Sequence, residues 1–262
     1  MAHRSRWLIV FTVLCIVAAI LVPAIPQPAE YHQFADRRRA FGIDNFSNVV
    51  TNAGFLIAGL AGLVVIFSGR AYFEFSRERW PWVLFFAGML LAAVGSSYYH
   101  VAPNNERLFW DRLPMTMAFA GLVASQFVDR IGVRAGLAVV VPLLVAGVAS
   151  VIYWRWTEHA GAGNVVPYII LQGYVVVVLA SLALKVPSRY TRANDLYWIF
   201  GWYVVGKLFE AFDAPVFAFG NIVSGHSLKH LAASGSGFVA CYMLMQRTLR
   251  LRDGEAVDKR RG

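Results

Sequence analysis

The sequence predicts an all-α polytopic membrane protein, a bundle of transmembrane helices. Of its 262 residues, 58% are hydrophobic, whereas a typical soluble domain has about 45–50%. The apolar residues are gathered in long blocks with few charges, and about 20 such residues in a helix cross a hydrocarbon core of roughly 30 Å. A transmembrane β-barrel would instead show shorter segments of alternating hydrophobicity, which the chain lacks.

Eight apolar blocks of about 19 residues or more are predicted to span the membrane. They cover roughly residues 7–25, 46–68, 80–102, 109–128, 135–154, 165–184, 196–217 and 226–247. Tryptophans, which anchor at membrane interfaces, stand near the block ends: Trp80, Trp82, Trp110, Trp154, Trp156, Trp198 and Trp202. Because the connections are short, we expect one integral domain with no sizeable extramembrane part.

The first block follows Arg4 and Arg6 and has two interpretations, a cleaved signal peptide or a retained anchor. Its apolar run is longer than a usual signal core, which favours the anchor. We therefore divide the chain into an anchor with its linker (1–29), a membrane domain (30–248) and a polar cytoplasmic tail (249–262).

The basic residues predict the orientation in the membrane. If connections alternate between the two sides, 16 of the 24 lysines and arginines lie on the side of both termini, and seven lie on the other side. By the positive-inside rule both termini are cytoplasmic. The net charge of +9 is thus explained by topology and anionic headgroups, and it does not indicate a nucleic-acid groove. We expect a bacterial inner-membrane protein.

Five polar residues at block ends form the candidate site. Ser96 and His100 end the third block, Asp111 begins the fourth, and His226 and His230 begin the eighth. With alternating spans, all five lie near the same outer, periplasmic face. A titratable residue inside a membrane segment is a functional candidate by default.

The spacing of these residues suggests a catalytic metal site. His226 and His230 are four residues apart, so they lie on one helix face and can bind one ion, with His100 as the third ligand. Three protein ligands and an open position are typical of catalytic zinc. Asp111 would orient the attacking water or act as its general base, and Ser96 would donate to an oxyanion or hold a ligand.

A purely structural role is the alternative for each of these histidines. A single membrane histidine more often forms a hydrogen bond between helices than it binds a metal. The remaining histidines, His3, His32 and His159, lie in terminal or loop sequence and are predicted to be solvated.

A second polar group lies in the seventh block, where Lys207, Glu210 and Asp213 follow one another at intervals of three residues. Lys207 and Glu210 are predicted to form a buried ion pair. The functional alternatives to this ion pair are that the three residues form a polar wall of a substrate cavity or the ion pathway of a transporter.

Three sequence segments resemble the alkaline ceramidase family, which belongs to the CREST group of membrane hydrolases. They are FGIDNFSNVVTNAGF, SSYYHVAPNNERLFWDRLPMT and HSLKH, and the similarity covers roughly residues 31–248. The resemblance implies a seven-helix core, here preceded by an extra N-terminal transmembrane helix. It also implies zinc bound by His100, His226 and His230, with Ser96 and Asp111 completing the site.

The activity implied by the resemblance is hydrolysis of the amide bond of a ceramide, which releases a long-chain base and a fatty acid. The family also has an acidic calcium site before its first core helix. Here the basic segment ADRRRAFGIDN offers only Asp36, Asp44 and Asn45, whereas calcium takes about six to eight oxygen ligands. Zinc is the expected cofactor. A full calcium site, which would be additional to the zinc site, is not expected, and Asp36, Asp44 and Asn45 are its only candidate ligands.

The sequence thus predicts a zinc-dependent integral-membrane amidohydrolase whose partners are a ceramide-like lipid and the bilayer. One alternative is a receptor-like or lipid-binding membrane protein with a structural zinc site. The other is the transporter, for which the group in the seventh block would carry the ion.

Overall fold

A computed structural model describes residues 2–250, with side chains from Arg6 onward. The predicted tail, 249–262, and the side chain of His3 lie almost wholly outside these residues. The described chain is all-α and contains no strand, as predicted. Its helices are α1 (Ala2–Leu21), α2 (Phe46–Val50), α3 (Ala53–Phe67), α4 (Arg79–Val101), α5 (Asn105–Arg130), α6 (Val133–His159), α7 (Val166–Lys185), α8 (Asp195–Ala211), α9 (Asp213–Ala218) and α10 (Gly225–Gln246).

Four helical stretches are long and apolar enough to cross a membrane: Phe46–Phe67, Ser76–Val101, Val133–His159 and Val166–Lys185. A shorter apolar helix covers Arg6–Leu21. Large apolar side chains remain exposed on the outer helix faces, among them Ile57, Val64, Val141, Val145 and Leu184. Such faces suit contact with lipid rather than water, so these helices indicate a membrane protein.

One predicted span, at 196–217, is interrupted in the structure. The span predicted at 46–68 is instead one helical stretch, in which Thr51 and Asn52 form a turn between α2 and α3 and keep helical backbone angles. The prediction of one helix over 196–217 was wrong, because α8 ends at Ala211 and Phe212 leaves helical geometry with φ −106° and ψ 31°. The hydropathy of a segment does not reveal such breaks, since the flanking residues remain apolar.

Helices α4 and α5 pack with their backbones in contact. A Cβ atom at Gly95 would collide with the carbonyl oxygen of Trp110, and one at Gly88 would lie 2.5 Å from the backbone nitrogen of Ala118. Glycine permits this approach because it has no side chain, a common device between membrane helices. The contact at Gly95 brings the next residue on α4, Ser96, beside the first turns of α5.

Both helices that follow a loop into the candidate site begin with a side-chain cap. The side chain of Asn104 accepts a hydrogen bond from the backbone nitrogen of Arg107 at 2.9 Å, at the start of α5. At the start of α10, the Ser224 hydroxyl accepts from the backbone nitrogen of Ser227 at 3.1 Å. These caps satisfy backbone groups that have no partner within the helix, and so fix where each helix begins.

The far end of α5 is held by one buried ion pair and, next to it, a partly exposed one. Arg247 Nη1 lies 2.8 Å from Asp129 Oδ2, and Arg189 Nη2 lies 2.8 Å from Glu78 Oε1. Glu78 also accepts a hydrogen bond from the Tyr190 hydroxyl. These contacts join the loops at that end of the bundle to the C-terminal end of α10.

Candidate metal centre

Three imidazoles converge where α4 ends and α10 begins. His100 comes from the last turn of α4, and His226 and His230 come from successive turns of α10. One ring nitrogen from each lies within 4.8 Å of the others. Their exposed fractions are 1%, 5% and 2%. The described chain therefore contains a buried cluster of three histidines that could bind a metal ion.

The hydrogen bonds of His230 leave one of its nitrogens free to face the cluster. Its Nδ1 lies 3.0 Å from the Thr51 hydroxyl, which itself donates to the carbonyl oxygen of Ser47 at 2.8 Å. Because the hydroxyl proton is used there, Nδ1 of His230 must be the donor in the first contact. This places the proton on Nδ1 and leaves the lone pair on Nε2, as a metal ligand requires.

The other two rings face each other through their Nε2 atoms, which are 3.3 Å apart. Two nitrogens bound to one tetrahedral zinc ion at about 2.05 Å lie about 3.3 Å from each other, so His100 and His226 fit this geometry. Among the described residues no fourth histidine, cysteine, aspartate or glutamate joins the cluster. The donor set thus could hold one metal ion on three protein ligands.

Aromatic packing holds His100, whose Nδ1 has no hydrogen-bond partner among the described residues. Its ring centroid lies 4.7 Å from that of Phe34 and 4.8 Å from that of Tyr99. Asn45 Nδ2 donates to the backbone oxygen of His100 at 2.9 Å, which fixes the end of α4.

Asp111 does not join the histidine cluster among the described residues. Ser96, which is buried, lies near Asp111, as do the charged side chains of Lys229, Arg112 and Glu210. Lys229 also lies near the three histidines. The structure thus places the predicted Ser96 and Asp111 near each other and gives Asp111 and the cluster a shared neighbour.

A segment between α1 and α2, residues 25–38, crosses this end of the bundle, and we call it the strap. Phe34 of the strap is 5% exposed, and its ring centroid lies 4.5 Å from that of His226. Asp213 connects the strap to α10, because its carboxylate accepts from the backbone nitrogens of Ala35 at 2.9 Å and His226 at 2.7 Å. The strap therefore covers the histidines and excludes bulk water from them.

The prediction that His32 is solvated was wrong. Its ring nitrogens lie 2.9 Å from the Tyr99 hydroxyl and 2.9 Å from Asn105 Oδ1, and burial lowers its pKa below the ordinary value. The sequence gave no sign that the strap folds back over the helix ends. His159 is exposed as predicted, and its Nε2 lies 2.8 Å from a carboxylate oxygen of Glu106.

An amide and hydroxyl network behind the histidines was not predicted. The Asn48 side chain, which is fully buried, accepts from the Ser227 hydroxyl at 2.7 Å, and the Asn52 side chain donates to the Asn48 carbonyl at 2.9 Å. Polar residues recur every three or four positions through α2 and the turn after it: Asn45, Asn48, Thr51 and Asn52. That recurrence of polar side chains on one face of an apolar block was the available signal.

The three candidate calcium ligands do not converge. Asp36 is bound by Arg38, whose Nε and Nη2 donate to its two oxygens at 2.8 and 2.7 Å and lower the pKa of the carboxyl. Asp44 is exposed beside Arg39 at 3.4 Å, and Asn45 donates to α4 as described above. Arg38 therefore occupies the one buried carboxylate of the set, and these residues form no common cation site.

The second polar group is only partly as predicted. Lys207 pairs with Glu210 at 2.7 Å, and Glu210 also pairs with Lys229 of α10 at 3.0 Å. Lys207 is half exposed, so the pair is not fully buried. Asp213 binds backbone nitrogens instead, so the three residues do not form one continuous ion path.

A cavity of about 160 Å³ lies against the cluster. It is lined by Glu30, Tyr31, Gln33, Phe34, Glu210, Asp213 and His226. Strap residues form one wall, and the end of α8 and the first residues of α9 and α10 form the other.

No family model and no curated protein matches the chain.

Proposed function

We propose that the protein is an integral-membrane hydrolase that uses zinc to cleave the amide bond of a ceramide-like lipid, releasing a long-chain base and a fatty acid. The observation that carries the proposal is the buried cluster of His100, His226 and His230. The 3.3 Å separation of the His100 and His226 ring nitrogens suits two ligands of one tetrahedral ion, and zinc is the ion we propose. The resemblance to alkaline ceramidases supports the choice of bond and substrate.

In this proposal each residue has a separate task. The three histidines hold the ion, which when bound would polarise the amide carbonyl and activate a water molecule. Asp111 takes the proton of the attacking water on its carboxylate and delivers it to the departing amine nitrogen. Ser96 holds Asp111 in position by a hydrogen bond. Phe34 keeps other water away from the reacting groups.

The proposed topology follows from the charges and the helices together. Eight spans, a seven-helix core preceded by α1, leave both termini in the cytoplasm and the histidines near the periplasmic face of a bacterial inner membrane. Support comes from the four clearly apolar helices and from the excess of basic residues on the side of the termini. The acyl chain would lie between helices, with its carbonyl at the cavity beside His226.

The test is mass spectrometry of ceramide-like lipids after incubation with the purified protein, before and after removal of metal by a chelator. We expect a fatty acid and a long-chain base to appear, to vanish on chelation and to return with zinc. His230→Ala should abolish metal binding and turnover together. Full turnover by metal-free protein would contradict the proposal.

A receptor-like or lipid-binding protein with structural zinc is the second candidate, favoured by the depth at which Phe34 buries the histidines. Asp111→Asn separates the two candidates, because Asp111 lies outside the cluster. Loss of turnover with zinc retained supports the hydrolase. Absence of turnover in the unaltered protein, with zinc bound at full occupancy, supports the second candidate.

A further inference from the structure

Arg112 lies in an enclosed aromatic site next to Asp111. Its side chain is buried, with 5% exposed. The guanidinium carbon lies 4.2 Å from the ring centre of Trp154, 4.9 Å from that of Tyr168 and 5.7 Å from that of Tyr31. We call these three rings the aromatic box. They come from α6, α7 and the strap, so three parts of the fold combine to bury one cation.

Arg112 makes one polar contact within the described chain. Its Nη2 donates to Gln27 Oε1 at 2.5 Å, and its Nη1 has no hydrogen-bond partner among the described residues. Two acidic side chains, Asp111 and Glu158, lie near it, but neither forms an ion pair with it among the described residues. Glu158 accepts from Trp154 Nε1 at 3.2 Å and from the backbone nitrogen of Gln27 at 2.8 Å.

Arg247 provides a comparison within the same molecule. It is 1% exposed, and its guanidinium carbon also faces an aromatic ring, that of Tyr190 at 4.2 Å. Unlike Arg112, it has a carboxylate partner, Asp129, at 2.8 Å. Burial of an unpaired charge is costly, and aromatic faces offset only part of that cost. Arg112 therefore keeps hydrogen-bonding capacity for an anionic partner, because its Nη1 is unpaired and it forms no ion pair among the described residues.

The aromatic box adjoins the cavity beside the histidines. Tyr31 faces Arg112 and also lines that cavity together with Phe34 and His226. A lipid whose amide reaches the histidines would therefore have polar atoms within reach of the box. A guanidinium binds carboxylate oxygens through short, charge-assisted hydrogen bonds, which a neutral hydroxyl or amide cannot match.

We propose that Arg112 binds the carboxylate of a lipid ligand. This inference rests on the proposed function for where the lipid lies, and it adds a charge requirement to the substrate or product. The carboxylate has two possible sources: the fatty acid released by hydrolysis, or a carboxyl group on the head of an N-acyl amino acid substrate.

The binding test uses dodecanoate and dodecanol with the purified, metal-stripped protein in a non-ionic detergent. Removal of the metal prevents the carboxylate from binding an ion in place of Arg112. We expect dodecanoate to raise the melting temperature with a saturable concentration dependence and dodecanol to have no such effect. Equal effects of the two lipids on the unaltered protein would overturn the proposal without any variant.

Variants locate the interaction. Arg112→Gln should weaken dodecanoate binding about tenfold to a hundredfold, as expected for loss of a hydrogen bond between charged groups. Arg112→Lys should retain part of the affinity. The matched control is Arg107→Gln, on the same helix but partly exposed, which should bind like the unaltered protein. Unchanged binding by a folded Arg112→Gln protein would overturn the proposal.

Turnover distinguishes the two sources. If the carboxylate is on the headgroup, N-dodecanoyl glycine has a lower KM than N-dodecanoyl ethanolamine, and Arg112→Gln removes that difference. If it is the product, both substrates behave alike, dodecanoate inhibits, and Arg112→Gln relieves the inhibition. Because binding is measured without metal or turnover, a failure of the hydrolase proposal leaves the binding result intact, and the reverse also holds.

Discussion

Thr51 shows how one hydroxyl prepares a ligand for metal binding. It accepts from Nδ1 of His230 and donates to the carbonyl of Ser47, so the ring can present only its Nε2 lone pair. A group that orients a ligand in this way commonly changes metal affinity by about 10- to 100-fold when it is removed.

We therefore expect Thr51→Val to weaken zinc binding by about 10- to 100-fold, with a smaller effect on folding. The measurement is a competition titration with a zinc chelator. Thr116→Val is the control, because the Thr116 hydroxyl likewise donates to a backbone carbonyl, that of Leu113, but contacts no histidine. Equal zinc affinity in the two variants would show that Thr51 does not orient His230.

The lowered pKa of Asp36 predicts that the stability of the folded protein depends on pH. Its pKa in the folded protein is lowered, chiefly by the hydrogen bond from Arg38, whereas the unfolded chain has a value of about 3.9. The unfolded state therefore binds the proton more readily. The stabilisation that the ionised Asp36 carboxylate provides is complete above about pH 4. It is lost as the pH falls through the pKa that Asp36 has in the folded protein.

We expect the melting temperature of the metal-free protein to fall more steeply between about pH 5 and pH 3 than that of Asp36→Asn, which cannot titrate at this position. Parallel curves for the two proteins would contradict the assignment of this acid-labile stability to Asp36.

At the scale of the helices, the contact of α4 with α5 sets the position of Ser96 against Asp111. Gly95→Ala should separate the two helices, because the new Cβ would collide with the Trp110 carbonyl. We expect a loss of about 1–3 kcal/mol of stability, typical of overpacking, together with reduced turnover.

The control for Gly95→Ala is Gly173→Ala on α7, where an added Cβ meets no atom within 4 Å. This change should be neutral or stabilise by about 0.5–1 kcal/mol, because alanine favours the helix. Thermal unfolding in detergent measures both effects. A Gly95→Ala protein as stable as Gly173→Ala would mean that the close approach is not required.

Much of the helix pattern was predictable, because hydropathy reports how far an apolar helix extends. The predicted block 165–184 corresponds to α7, Val166–Lys185, and the block 226–247 to α10, Gly225–Gln246. The separation of α8 from α9 was not predictable in this way. It depends on Asp213, which bonds to backbone nitrogens of the strap and of α10, contacts that exist only in the folded chain.

At the scale of the whole molecule, the proposed topology can be tested in intact bacterial cells. His159 and Arg134 are exposed residues at opposite ends of α6. We expect a maleimide that cannot cross the inner membrane to label His159→Cys from the periplasm and to leave Arg134→Cys unlabelled until the cells are lysed. Labelling in the opposite order would reverse the proposed orientation.

The convergence of the three histidines was predictable from the sequence, because alternating spans bring their helix ends to one face. The strap that covers these histidines was not predictable from the sequence. Phe34 and His32 belong to a polar, proline-containing segment whose pattern resembles a solvated loop. Only tertiary contacts, such as those of His32 with Tyr99 and Asn105, reveal that this segment is part of the site.

Within the strap, the Arg38 guanidinium is a covalently attached counter-ion of the buried Asp36 carboxylate. Besides the carboxylate, Arg38 donates to the carbonyl oxygens of Asn221 and Ile222 at 2.9 and 2.8 Å, so one tethered guanidinium fastens two loops that lie far apart in sequence. A dissociable cation in that place would leave or return as its concentration in the surrounding solution changed. A covalently attached charge cannot be diluted away, so this junction does not depend on a dissolved metal ion.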